Sequence, residues 1–83
     1  MTENEVFSEL IKIFRNVFND DELVVTYKTN SDQLENWDSL NHIHLMSAIE
    51  KKFNIKFALG ELIELKDVEA IIKLMLNEKL KSI

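Results

Sequence analysis

Apolar side chains recur with helical spacing in three stretches of the chain and lose that period between them. Val6, Phe7, Leu10, Ile11, Phe14, Val17 and Phe18 share one stripe, with Glu3, Glu5, Glu9, Lys12 and Arg15 on the other side. This predicts an amphipathic helix over 3–18, opened by a capping box between Thr2 and Glu5. A second helix is predicted over 39–53. At 100° per residue, Leu45, Ile49, Phe53, Met46 and Ile43 fill its inward arc. Leu40, His44, Ser47 and Lys51 form a separate stripe clear of the core. Asp38 suits the N-cap and Trp37 the position before it, as a staple on the first turn. A last helix over 67–80 turns Val68, Ile71, Ile72, Met75 and Leu76 inward. Asp67 and Glu69 lie at its positive end, Lys79 and Lys81 at its negative end. Before it, Gly60 helps turn the chain and Glu61–Leu65 offers one short helical turn.

Residues 19–38 have no such period and carry the turn formers Asn19, Asp20, Asn30, Ser31, Asp32 and Asn36. A loop this long in a compact domain needs anchors. Leu23, Val25, Tyr27, Leu34 and Trp37 are spaced to provide them. A loop that runs the length of one helix also lets the next start from the same end. The one segment with a strand pattern is Leu23–Thr26. The expected fold is therefore all-α: a small four-helix bundle of three longer helices and a short third, with a long loop between the first two. All of 1–83 makes one domain around one core.

Composition narrows the function. The chain has 83 residues, no Cys, no Pro and one Gly, which removes disulfides, thiolate metal sites, a cysteine nucleophile and any glycine-rich phosphate loop. The longest apolar run is three residues, as in Leu23–Val25, too short to span a membrane. The first residues are acidic where a signal peptide is basic and then apolar, so a cytoplasmic location is expected; the chain is also expected to be a monomer. The net charge of −5 is concentrated. Asp20, Asp21, Glu22, Asp32, Glu35 and Asp38 stand against Lys28 alone, and elsewhere acids and bases balance. Such a segment repels phosphate backbones, so nucleic-acid binding is not expected, and a basic protein partner is.

Few side chains could carry chemistry. His42 and His44 are two apart and point in different directions on a helix, so no metal site is expected. Asp38, Ser39 and His42 hold the residue types of a hydrolytic triad. However, no nucleophile elbow surrounds the serine, and three members within five residues do not reach triad geometry. Ser39 reads otherwise as a helix-start serine. It aids the cap, or it stands where free N–H groups and the helix dipole stabilise an attached phosphate.

Asp38-Ser39-Leu40, followed by Ile43, Leu45, Ala48-Ile49-Glu50, Phe53 and Ile55, resembles the acyl carrier protein family. The likeness runs on through the short third helix and the fourth, over about 3–76. It implies that Ser39 carries 4′-phosphopantetheine through a phosphodiester, installed from coenzyme A by a magnesium-dependent phosphopantetheinyl transferase. The working thiol then belongs to the arm, and the protein is a carrier rather than an enzyme. Acyl- or aminoacyl-activating and acyl-transferring enzymes are the implied further partners. Asp38 and Leu40 would help the transferase dock, and helix 2 would be the main partner surface, through Ile43, His44, Met46, Ser47, Glu50 and Lys51. Ile43, Met46, Ile49, Ile63 and Ile72 would line an acyl pocket. The reading from a different class is a small helical adaptor without a prosthetic group.

The chain also departs from the family pattern. Best-known fatty-acid carriers have a strongly acidic helix 2, whereas residues 39–53 here hold Glu50 against Lys51 and Lys52. Acidity lies instead in the preceding loop and in 61–69, and Trp37 replaces a small residue. These changes point to a specialised pathway rather than housekeeping fatty-acid synthesis. His42, on the apolar arc, is expected at the core edge, hydrogen-bonded to the loop.

Overall fold

The first helix, α1 (Glu3–Val17), starts where the capping box predicts. Thr2 Oγ1 accepts from Glu5 N–H at 3.2 Å, and Glu5 Oε1 accepts from Thr2 N–H at 2.7 Å. Two of the helix's orphan donors are satisfied in this way. The structure, a computed structural model, describes residues 2–80. Val6, Leu10 and Phe14 are fully buried along the inward stripe, with Phe18 closing it just past the helix end.

The long loop takes a path the sequence does not predict. It first runs back along α1: the Arg15 guanidinium donates to the Leu23 carbonyl at 3.0 Å, and the Tyr27 hydroxyl donates to Glu3 at 2.6 Å. It then returns, and Trp37 packs edge-on against Phe14 with ring centroids 5.2 Å apart. Covering α1 twice brings the second helix, α2 (Ser39–Phe53), in beside the C-terminal end of α1, not at the end where α1 starts. The two helices are antiparallel, as the approach of Lys52 to Glu9 at 3.9 Å also shows. Leu23–Thr26 forms no strand. Among the described residues β-pairing is limited to one isolated bridge, Asn30 with Asp67.

That bridge explains how the loop stays ordered. The first N–H groups of the last helix, α4 (Val68–Leu74), face it. Val68 N–H donates to Thr29 O at 2.9 Å and Glu69 N–H to Tyr27 O at 3.1 Å. Asp67 Oδ1 caps Ala70 N–H at 2.6 Å. Donors left open by one helix thus meet carbonyls left open by the loop.

α2 has the predicted limits, with Asp38 as N-cap and Asn54 in the left-handed conformation as C-cap. Leu45, Met46 and Ile49 are buried. Ile43 is not inward: it is 61% exposed. It sits at the flank of the arc, and no element covers that flank.

The short helix α3 spans Leu59–Glu64, so Gly60 is a helical residue and not a turn. A Cβ at Gly60 would meet nothing within 4 Å, and its φ is not positive. Gly60→Ala should therefore stabilise the fold by about 0.4–1 kcal/mol, through reduced freedom of the unfolded chain. A denaturation midpoint that stays put or falls would contradict the helical placement of Gly60.

α4 buries Val68, Ile71 and Ile72, and continues into a π-helical turn, Met75–Lys79, where the α-helix was expected to persist. Leu80 N–H donates to Met75 O across five residues. Lys79 does more than complement the helix dipole. Its ammonium reaches Glu61 of α3 at 2.8 Å and lies 5.9 Å from the centroid of the Phe57 ring. That ammonium, with the Ala58 N–H, holds the Glu61 carboxyl below the usual carboxylate range. Lys81 lies outside the described residues. One hydrophobic core, from Val6 to Met75, joins α1, α2, α4 and the loop residues Val25, Trp37, Phe57 and Leu65.

Candidate functional site

Ser39 is the first residue of α2 and is exposed. Asp38 turns its carboxylate into the helix, where Oδ1 accepts from Asn41 N–H at 2.9 Å, and its carbonyl accepts from His42 N–H at 2.8 Å. The Asn41 amide donates in turn to Asn36 O at 2.8 Å, which ties the end of the loop to the first turn. The N–H groups of Ser39 and Leu40 precede the first intrahelical bond and, with the dipole, favour an anion on the serine oxygen. No acidic residue lies in the first turn itself, and the carboxylate of the N-cap Asp38 is engaged by Asn41 N–H.

Behind the serine, His42 joins three elements. Trp37 Nε1–H donates to His42 Nδ1 at 2.9 Å. An indole nitrogen only donates, so Nδ1 supplies the lone pair and Nε2 carries the proton. That proton goes to the Leu62 carbonyl of α3, at 2.6 Å. The ring also stacks on Trp37, with centroids 6.1 Å apart. Trp37 does act as a staple, but its partner on α2 is this histidine, and its ring also meets Phe14 edge-on and Phe18 at a tilt. His42 therefore reaches α3 as well as the loop. A polar residue on an apolar arc was the signal for it, but its partner 20 residues away was not visible.

The expected docking residues separate into two groups. Asp38, Leu40, Ile43, His44, Ser47 and Lys51 are exposed, but Met46 is 1% exposed and belongs to the core. Glu50 is half-buried, and its Oε2 accepts from Phe57 N–H at 2.8 Å, holding the α2–α3 connection. The five expected pocket residues do not line one cavity. Met46, Ile49 and Ile72 are packed in the core, whereas Ile43 and Ile63 lie at the surface, each more than 60% exposed. Because His42 meets Leu62, the exposed neighbours Ile43 and Ile63 border the α2–α3 junction, with Leu40 and Leu59 adding apolar surface on the same two helices. Leu59 precedes the turn predicted over Glu61–Leu65, and periodicity gives no signal for it.

A solvent-facing serine, an orphaned helix end and an adjacent apolar rim fit a phosphodiester-linked arm. Among the described residues no group of three or more His, Cys, Asp and Glu side chains is placed to hold a metal, and no helix is long and apolar enough to cross a membrane.

The family model described as phosphopantetheine attachment site matches residues 8–75. Among solved structures, the chain is similar to the holo acyl carrier protein of Geobacter metallireducens, determined in solution by NMR. The two are 43% identical, with a TM-score of 0.81, over 90% of this chain and 85% of that one. Among curated proteins none is significantly similar.

Proposed function

This chain belongs to the acyl carrier protein family, and from that premise we propose that Ser39 is the hydroxyl that takes up its 4′-phosphopantetheine. Family membership makes the protein a carrier, not a catalyst, whose partners are a phosphopantetheinyl transferase and enzymes that handle acyl groups. The observation that carries the assignment is the exposed Ser39 at the start of α2, with Asp38 beside it turned into the cap. The arm, once attached, supplies the thiol that this chain lacks. The residues present the serine: Asp38 and Asn41 hold the turn, His42 and Trp37 fix it to α3, and the first N–H groups would favour the phosphodiester's charge.

The surface of α2 favours a specialised pathway over housekeeping fatty-acid synthesis. Its one acid, Glu50, is engaged by the Phe57 N–H, and the exposed face offers His44, Lys51 and Lys52, beside a half-buried Asn41 held by the Asn36 carbonyl. Partners that present Arg and Lys to an acidic helix lose charge-assisted contacts here, each worth about 1.5–3 kcal/mol, and meet like charge at the lysines. A dedicated enzyme that activates an acyl or aminoacyl group fits this surface better.

Intact mass after incubation with coenzyme A, magnesium and a broad-specificity transferase should show the arm on the wild-type protein. The holo-protein should then serve a malonyl transferase and a ketosynthase of fatty-acid synthesis poorly beside a housekeeping carrier. Lys51→Glu with His44→Glu should raise both rates. Equal rates for the two carriers would overturn the pathway reading and leave the arm assignment standing.

A further inference from the structure

A groove of about 350 Å³ lies between the C-terminal end of α1 and the acidic loop. Its more buried lining is apolar, from Phe18, Leu23 and Leu34, and its exposed lining is polar, from Asp20, Gln33, Glu35 and Asn36. We propose that this groove receives a basic side chain of the phosphopantetheinyl transferase, the stem on the apolar lining and the charged head at the Asp20 and Glu35 carboxylates. The inference rests on the carrier reading of Ser39 and names which face of the carrier that enzyme grips.

Three observations favour this occupant. The groove has the mixed character that a long basic side chain matches, since Arg and Lys bury an aliphatic stem while keeping the head polar. Charge also favours it: Lys28 is the single base in 19–38 against six acids, and the Arg15 guanidinium beside the groove is engaged with the Leu23 carbonyl. Asp20 uses Oδ1 to accept from Glu22 N–H at 3.1 Å, and Oδ2 is the atom for a partner. The groove is also tied to the turn that holds the serine. Asn36 in its wall is bound through its carbonyl to Asn41, in the first turn that Ser39 opens. A basic enzyme reaching Ser39 therefore finds its counter-charges on the loop side, because the carboxylate of α2 is engaged with Phe57.

The test measures arm transfer from coenzyme A by a broad-specificity transferase to wild type, to Asp20→Asn/Glu35→Gln, and to Asp21→Asn/Glu22→Gln. The last pair removes the same charge from outside the groove. In the first pair, Asp20→Asn retains a side-chain oxygen to accept from Glu22 N–H. Far-UV circular dichroism confirms that all three are equally helical. The groove pair should lose about ten-fold in kcat/KM, through KM, because a binding contact is removed and the chemistry is not. The control pair should stay within about two-fold. Equal losses in both pairs, or none in either, would overturn the groove assignment. A wild-type protein that gains no arm would overturn the carrier reading itself.

Discussion

Ser39→Ala should abolish uptake of the phosphopantetheine arm while leaving the protein folded. The hydroxyl makes no cap bond that the helix needs, because Asp38 Oδ1 already accepts from Asn41 N–H and the Asp38 carbonyl from His42 N–H. Alanine is a good helix former at an exposed first-turn position, so stability should change by no more than about 0.5 kcal/mol. Intact mass and thiol titration after treatment with coenzyme A and a transferase provide the readout. A mass gain in the variant would move attachment to another hydroxyl, with Ser47, exposed on the same helix, the first to examine.

His42→Ala should cost roughly 2–4 kcal/mol, since it strands two polar groups at once. Trp37 is 4% exposed, so its indole N–H would lose its acceptor where water cannot readily replace it. The Leu62 carbonyl loses its donor as well. In a chain this short each kcal/mol moves the melting temperature by about 4–8 °C, so the shift is easily measured. Trp37 is the sole tryptophan, and its emission should move to the red as the loop loosens. His42→Asn should recover part of the loss, because the amide oxygen can take the place of Nδ1. His44→Ala, two residues on and exposed, should change stability by less than about 0.5 kcal/mol. Equal effects at 42 and 44 would rule out the clamp between loop and α3.

The two sites differ in how far they can be read from sequence. Ser39 is set at the helix start by neighbours within three residues, so its place was legible from local spacing, while its role was legible only through the resemblance to the carrier family. The clamp joins residues five and twenty positions apart. The apolar arc marked His42 as a polar side chain in need of a partner, but periodicity carries no information about which carbonyl will face it.

The same division runs through the fold. The limits of α2, the capping box of α1 and the inward faces of α1 and α4 follow from the 3.6-residue period and from short-range caps, forces that act within one turn. Tertiary structure decided what depends on the neighbour. Ile43 lies outside because no element covers its flank of α2, and Met46 is core because its flank is covered. The loop doubles back because the open N–H groups of α4 and the aromatic face of Phe14 lie at opposite ends of its path. Lys79 binds Glu61 because the π-helical turn after α4 packs beside α3. A pattern of apolar positions tells each helix which side to bury. Only packing against the other elements determines how wide that buried side is and where its polar edges find partners.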